Sequence, residues 1–479
     1  MLPFSQYLRE LLEAKQLTVS ALSRLSGVER TTLSKTLAGQ RVLPYDAMDG
    51  LIRHLHLTPE EERRFRAYYD EQFEKKALRR SREMVGRLFS ELAELNFTMP
   101  PFAETRLLMS LEQYAGDRSV FSGASNVQPL LRMVLSEELM RADARIDLTV
   151  PPVNSFLSDE LLRRCLDGGL DADIRQIIAF DASGSAEDIN LHNLECFCRI
   201  LPICLLSKRR YQPYYYYDSS LSSLYTDPFP YFLVTHSCVV CLFENGEQAM
   251  LLRGRDQIEY YRRHFQNLLE HCYRLIQYTD DPVKILMSYD DHTDENGFYM
   301  IMDQPCFGRF YNEGVIDRYL KKELSFYEPL REAAQRRFIR LRQIERFYTL
   351  FSRGGIERFL ESGALDDFPS AYVKPFPAEQ RRKLTMALAA EIRRGGITGR
   401  MLKPGVFPDY LSMTTSARSG AGFFTTENFA LQDGFSYIRI RESDLCRAFH
   451  GYLSHLPVSG QTLSADQTAE ILEQMAQER

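Results

Sequence analysis

The chain has 479 residues, 44% of them apolar and 26% charged, with a formal net charge of −6. That length exceeds one ordinary hydrophobic core, so several domains are expected, and no run approaches the ~20 apolar residues of a membrane-spanning helix. Nine irregularly spaced cysteines suit reduced thiols better than a disulfide framework, and "MLPFSQYLRE" lacks the basic and apolar regions of a secretory signal, so a cytoplasmic protein is expected. Charge is uneven: residues 1–80 hold 14 Lys+Arg against 11 Asp+Glu, a balance of +3, which leaves −9 on the remainder. A basic head on an acidic body is compatible with a head that binds nucleic acid.

The head reads as a run of short helices. Phe4, Tyr7, Leu8, Leu11 and Leu12 share one face at helical spacing. Thr18 is placed to N-cap the next helix, whose Ala21, Leu22 and Leu25 are expected to point inward, and Gly27 supplies the left-handed turn that ends it. Val28 follows as a plug. Glu29–Ala38 forms the third helix, Pro44 opens a fourth, and Thr58-Pro59-Glu60-Glu61 starts a fifth with a cap, an early proline and early acids.

This frame, over roughly residues 4–70, resembles the lambda-repressor-like, Cro/repressor-type (XRE) helix-turn-helix family. The resemblance rests on Thr18, Leu22, Ser23, Gly27-Val28, Leu33 and Gly39. It implies that the helix after the turn enters the DNA major groove. By position, Arg30, Thr31, Thr32 and Lys35 would meet base edges or nearby phosphates, and Thr18, Ser34 and Arg41 the DNA backbone. Two positions depart from the family pattern. Val19 stands where Gln is frequent, and Glu29 where Ser or Thr is frequent, so a carboxylate near phosphates needs a cytosine amino group or Arg30 as a partner. A protein-contact bundle is the alternative reading of the head.

Residues 72–144 read as a helical connector with a Met84, Leu88, Leu92, Leu95 stripe that suits packing better than a dimer seam. From 145 the period changes. "RIDLTVPP", "DIRQIIAF", "YQPYYYYD", "PYFLVTH", "SCVVCLF" and "AMLLRG" are strand-like, with helices between and after them, so 145–280 is expected to be an α/β lobe. Residues 281–479 repeat the grammar as a second α/β or α+β lobe. Here "VKILMSY" and "FYMIM" read as strands, 313–362 and 378–394 as helical, and "YLSMTTS", "FFTTENFAL" and "FSYIRIR" as strands. Both lobes end in β-rich runs followed by an aromatic-centred helix, which suggests an internal duplication. The first lobe faintly resembles phospholipase-D-like sensor lobes of some sugar-responsive regulators, through "ARIDLTVPP" and "ADIRQIIAF". The catalytic His-x-Lys-x4-Asp signature is absent, so the resemblance implies binding rather than cleavage.

Candidate chemistry beyond the head is sparse. In the run Tyr214–Tyr217 alternate rings face opposite sides, so Tyr214 and Tyr216 could line an effector wall, though a strand packed on both sides explains the run more simply. His192, Cys196, Cys198 and Cys204, and His236, Cys238 and Cys241, lack zinc-site spacing and read as buried thiols, so no metal is expected. "HTDENGFYMIMD" misses a calcium loop at His292 and Asp303 and reads as a polar turn. "REAAQRRFIRLRQIERFYTLFSR" reads as a basic helix with a solvated face. No nucleotide-cradling, hydrolase-elbow, zincin or kinase motif occurs, and no Lys follows Lys403 to complete a self-cleaving Ser/Lys dyad. The expected protein is a non-enzymatic transcriptional regulator without a cofactor. It would bind a double-stranded DNA operator as a homodimer, with a small-molecule or peptide effector or an oligomerisation region behind the head. An antitoxin-like or peptide-responsive interaction protein without a small-molecule pocket is the alternative.

Overall fold

The computed structural model describes residues 3–44, 47–70, 76–95, 109–153, 155–168, 170–182, 189–218, 231–243, 246–291, 297–368, 370–416, 420–425 and 436–478. The chain divides into two compact units, Met1–Arg80 with Val458–Thr462, and Ser81–Pro457 with Leu463–Arg479.

The first unit is all helical: α1 (Pro3–Ala14), α2 (Val19–Ser26), α3 (Arg30–Leu37), α4 (Ala47–His54) and α5 (Pro59–Asp70). The helix-spaced apolar positions of α1 build its core, where Phe4, Leu8, Leu11 and Leu12 pack with Leu22, Leu33, Met48, Leu51, Leu55 and Phe65. Phe4 meets Phe65 edge-on at 5.0 Å. Helix α5 starts on a reciprocal cap: the Glu61 amide donates to Thr58 Oγ1 at 3.2 Å and the Thr58 amide to Glu61 Oε2 at 2.8 Å. One expectation fails in α2. Leu25 is 51% exposed, because Leu22 alone fills the inward position of so short a helix.

The second unit is built on two mixed sheets. A helix, α6 (Lys76–Glu94), buries Val85, Leu88, Phe89 and Leu92; α7 (Leu111–Ala115) follows. Phe89 packs against Phe407 and Phe449, so this side of α6 is a packing face within the unit, whereas Met84 and Leu95 of the expected stripe are only partly buried. Then come β1 (Val120–Ser122), α8 (Ala124–Leu139), β2 (Arg145–Leu148), α9 (Phe156–Leu166), β3 (Asp173–Phe180), α10 (Leu191–Leu206), β4 (Tyr211–Tyr217), β5 (Tyr231–Val234), β6 (Val239–Leu242), β7 (Gln248–Leu252), α11 (Arg255–Leu269) and β8 (Tyr273–Arg274). These strands form the first sheet, in the order β1-β7-β6-β5-β2-β3-β4-β8. Residues 120–139, expected in a helical connector, therefore supply an edge strand and a covering helix to the first lobe.

The chain continues through β9 (Ile276–Thr279), α12 (Pro282–Asp291), β10 (Gly297–Ile301), α13 (Glu313–Tyr319), α14 (Tyr327–Gln343), β11 (Arg346–Phe351), α15 (Arg353–Ser362), α16 (Ala378–Arg393), β12 (Thr398–Met401), β13 (Leu411–Ser416), β14 (Gly420–Thr425), β15 (Ser436–Ile440), α17 (Ser443–His455) and α18 (Ala465–Glu478). The second sheet runs β12-β11-β10-β13-β14-β15-β9. The expected boundary at 280 thus falls after a strand that belongs to the second sheet. Tyr273–Thr279 links the two sheets: β8 pairs with β4, β9 pairs with β15, and Leu275 between them is buried.

Both lobes follow one plan. Three strands joined by helical crossovers run parallel (β2-β3-β4; β10-β11-β12), and an antiparallel meander extends from the first of them (β5-β6-β7; β13-β14-β15). A helix then packs on the same layer. In α11, Ile258, Tyr261, Phe265 and Leu268 are buried; Cys446, Phe449, Leu453 and Leu456 repeat that spacing along α17 and just past its end. The repeated topology agrees with the duplication suggested by the sequence.

Two segments differ from expectation. "VKILMSY" lies in helix α12, because Asp281 Oδ1 accepts from the Val283 and Lys284 amides and Pro282 suits the first turn. The long basic helix stops at Gln343. Arg346–Phe351 becomes a strand between β10 and β12, where a buried parallel position rewards its aromatic and β-branched residues. His292–Asn296 of the polar turn lies outside the described residues.

Candidate nucleic-acid interface

The site is assembled from three short elements. Thr18 lies in extended geometry and its hydroxyl accepts from the Ala21 amide at 3.2 Å, starting α2. Gly27, at φ +72°, turns the chain with its amide on the Ser23 carbonyl, a conformation that any side chain would strain. Ser23 Oγ donates to the Val28 carbonyl at 2.7 Å and Ser26 Oγ accepts from the Val28 amide at 3.3 Å, so two serines fix the turn that Val28 plugs. Helix α3 then turns Leu33, Thr32 and Thr36 inward and leaves Arg30, Thr31, Ser34 and Lys35 exposed.

Thr32 therefore departs from its expected role at the base edges. It is 5% exposed, and its hydroxyl accepts from Arg41 Nη1 at 3.3 Å. Its helical position falls on the core side with Leu33 and Thr36, and what it can do is orient Arg41. Glu29 caps α3 without a side-chain hydrogen bond and makes no ion pair among the described residues, so its carboxylate stays open beside Arg30. A surface groove of about 610 Å³ runs between α1, the start of α2 and α3; Arg9, Gln16, Thr18 and Ser34 are among its walls. Arg9 Nη2 donates to the Leu37 carbonyl at 3.0 Å, placing a cation at the C-terminal end of α3 where the helix dipole favours it.

A family model described as a helix-turn-helix domain matches residues 3–65. The N-terminal segment is a helix-turn-helix domain. A helix-turn-helix domain supports DNA binding. No curated protein matches this chain. Among solved structures, a polyphosphate kinase from Porphyromonas gingivalis aligns with 80% of this chain and 60% of its own length, at 10% identity and a TM-score of 0.23.

Beyond the helix-turn-helix domain, the two tyrosines expected to line an effector wall face the core. Tyr216 is buried in the cluster under α11, and Tyr214 packs against that cluster with its hydroxyl on Gln212 and Arg274. The cysteines are free thiols; burial pushes Cys165 and Cys196 up to about 12, which makes them inert at neutral pH. Among the described residues no three His, Cys, Asp or Glu side chains converge to hold a metal. Among the described residues no helix is long and apolar enough to cross a membrane.

Sequence reasoning missed two polar clusters. In the first lobe, Glu138, 1% exposed, accepts from the Arg145 amide at 2.8 Å and the His236 amide at 3.0 Å, and meets His236 Nδ1 at 2.5 Å. In the second, Asp303 closes β10 and receives both Ser352 Oγ and Arg358. Arg358 also stands 3.7 Å from Asp366. Burial pushes the Asp366 carboxyl up to about 7, against the pull of Arg358 and with a further push from Asp367 and Asp409. A Cβ at Gly355 would fall 1.9 Å from the Asp303 carbonyl oxygen, so glycine lets α15 start against that loop. The only local signal for this cluster is an Asp just after one strand and a Ser-Arg-Gly-Gly helix start just after the next.

Proposed function

We propose that the chain is a sequence-specific DNA-binding transcriptional regulator that acts without catalysis. One observation carries this reading: a helix-turn-helix domain buries the apolar side of α3 and turns Arg30, Thr31, Ser34 and Lys35 to solvent. Arg30, Thr31 and Lys35 meet base edges or nearby phosphates. Thr18, Ser34 and Arg41 contact the DNA backbone, and Thr32 positions Arg41. The partner is a double-stranded operator bound by a homodimer, since one recognition helix reads only a few base pairs and paired half-sites lie about one helical turn apart. The second unit is the effector-sensing or oligomerisation region of a cytoplasmic protein.

The test is a footprint on genomic fragments selected by the intact protein. Arg30→Ala with Lys35→Ala should abolish specific protection while far-UV circular dichroism and Tm stay unchanged. Unaltered protection would refute the reading. Sedimentation of the protein–operator complex checks the dimer, and a monomer bound tightly to a single half-site would refute that part.

A further inference from the structure

Strand alternation puts Tyr215 and Tyr217 on the face of β4 opposite Tyr214 and Tyr216. Tyr273 of β8 is the cross-strand partner of Tyr215, and their rings lie 5.7 Å apart. Tyr217 stands edge-on to Tyr215 at 5.7 Å, and the buried ring of Phe180 on the adjacent strand lies 5.1 Å from that of Tyr215. Tyr273 is 65% exposed, while Tyr215 and Tyr217 are half-buried. The result is an open aromatic shelf at the edge of the first sheet.

A carboxylate from the second lobe stands behind the shelf. Glu442, 3% exposed, caps α17: its Oε2 accepts from the Leu445 amide at 2.9 Å and its Oε1 accepts from the Tyr217 hydroxyl at 2.7 Å. Both donors are neutral, and Glu442 makes no ion pair among the described residues. The neighbouring Asp444 is paired with Arg447. Burial and the nearby Glu442 push Tyr215 up to about 12, and burial with the bond to Glu442 raises Tyr217 as well, so these phenols stay neutral. Tyrosine faces are electronegative, and a buried carboxylate whose two hydrogen-bond donors are neutral adds to that field. The combination attracts a cation with an apolar surface and repels anions.

We propose that Tyr215, Tyr217 and Tyr273, with Glu442 behind them, form a binding site for a small alkylammonium ion. This names the effector class of the regulator proposed above and rests on that reading for its regulatory meaning. Binding itself is measured without DNA.

The experiment is calorimetric titration of the full-length protein with choline chloride. Sodium chloride and 3,3-dimethylbutan-1-ol, the neutral isostere of choline, are the controls. Choline should bind saturably, and the neutral alcohol about tenfold more weakly or not at all. Tyr273→Ala should weaken choline binding about threefold or more without changing Tm, since that ring is exposed. Glu442→Gln keeps an oxygen for the helix cap and removes the charge; it should weaken binding about tenfold. Absence of saturable choline binding, equal binding of the alcohol, or wild-type affinity in both variants would overturn the site. A separate titration of operator affinity with and without choline tests the regulatory reading: unchanged affinity alongside intact choline binding refutes that reading and leaves the site standing.

Discussion

Charge is used in opposite ways in the two units. On α3 the cations Arg30 and Lys35 stand in solvent, and the fold beneath them rests on leucines and phenylalanines that need no charge. In the second unit charge is drawn inside: Arg337 is 1% exposed, Asp303 5% and Glu138 1%. An exposed cation keeps its hydration until a ligand replaces it, so it is available for binding and contributes little to folding. A buried charge has lost its hydration and must keep its partners, so it ties elements together and is costly to disturb. The difference separates the two units by what a substitution should do: function lost with fold intact in the first, fold weakened in the second.

The largest effect should come from Arg337. Its guanidinium lies 3.8 Å from Asp367, and burial already raises the Asp367 carboxyl. Arg337→Ala leaves that carboxylate without its neighbouring cation and should cost about 3–5 kcal/mol, read as a lower urea midpoint for the second unit. Adding Asp367→Leu to Arg337→Met should recover most of the loss. If Arg337→Ala proves as stable as wild type, the contrast between the units fails.

Asp366 sharpens the same contrast through pH. Its carboxyl rises from the usual 3.8 to about 7 in the fold. Between those values the folded state holds the proton more tightly than the unfolded one. The contribution of this group to stability should therefore be full below about pH 4, fall as pH rises, and be lost above about 7, with a slope of order 1 kcal/mol per pH unit. Asp366→Asn should flatten that slope in denaturant titrations across pH.

In the first unit Thr18→Ala removes the hydroxyl that caps α2 and should cost about 1 kcal/mol, confined to the unfolding of the head. The smallest effect is a change of slope. Lys35→Ala should flatten the log–log salt dependence of operator affinity by about one if it contacts phosphate, whereas Arg336→Ala with Arg340→Ala on α14 should leave it unchanged. A flattened slope from the α14 pair would show a second DNA-binding surface and blur the division.

Much of the first unit was legible in the sequence because its determinants are local. A cap such as Thr18, a turn glycine such as Gly27 and helical apolar spacing each act within a few residues, and together they identify the turn and the exposed face of α3. Thr32 shows the limit. Two neighbouring threonines look alike in a row of letters, and only the packing of α3 decides that one faces solvent and the other holds Arg41. In the second unit, strand alternation correctly divided Tyr214–Tyr217 into two faces, but only the position of α11 decided which face was buried.

The sequence by itself determined the helix-turn-helix frame, the α/β character of the remainder and the repeated grammar of its two halves, since short-range propensity and periodicity encode these directly. Tertiary structure alone decided that Arg346–Phe351 is a strand, that Asp303 meets Arg358, and that Glu442 of one lobe stands behind the tyrosines of the other. The physical reason is separation along the chain. A buried strand or charge is stabilised by partners tens to hundreds of residues away, and no local pattern records which partners the fold will bring together.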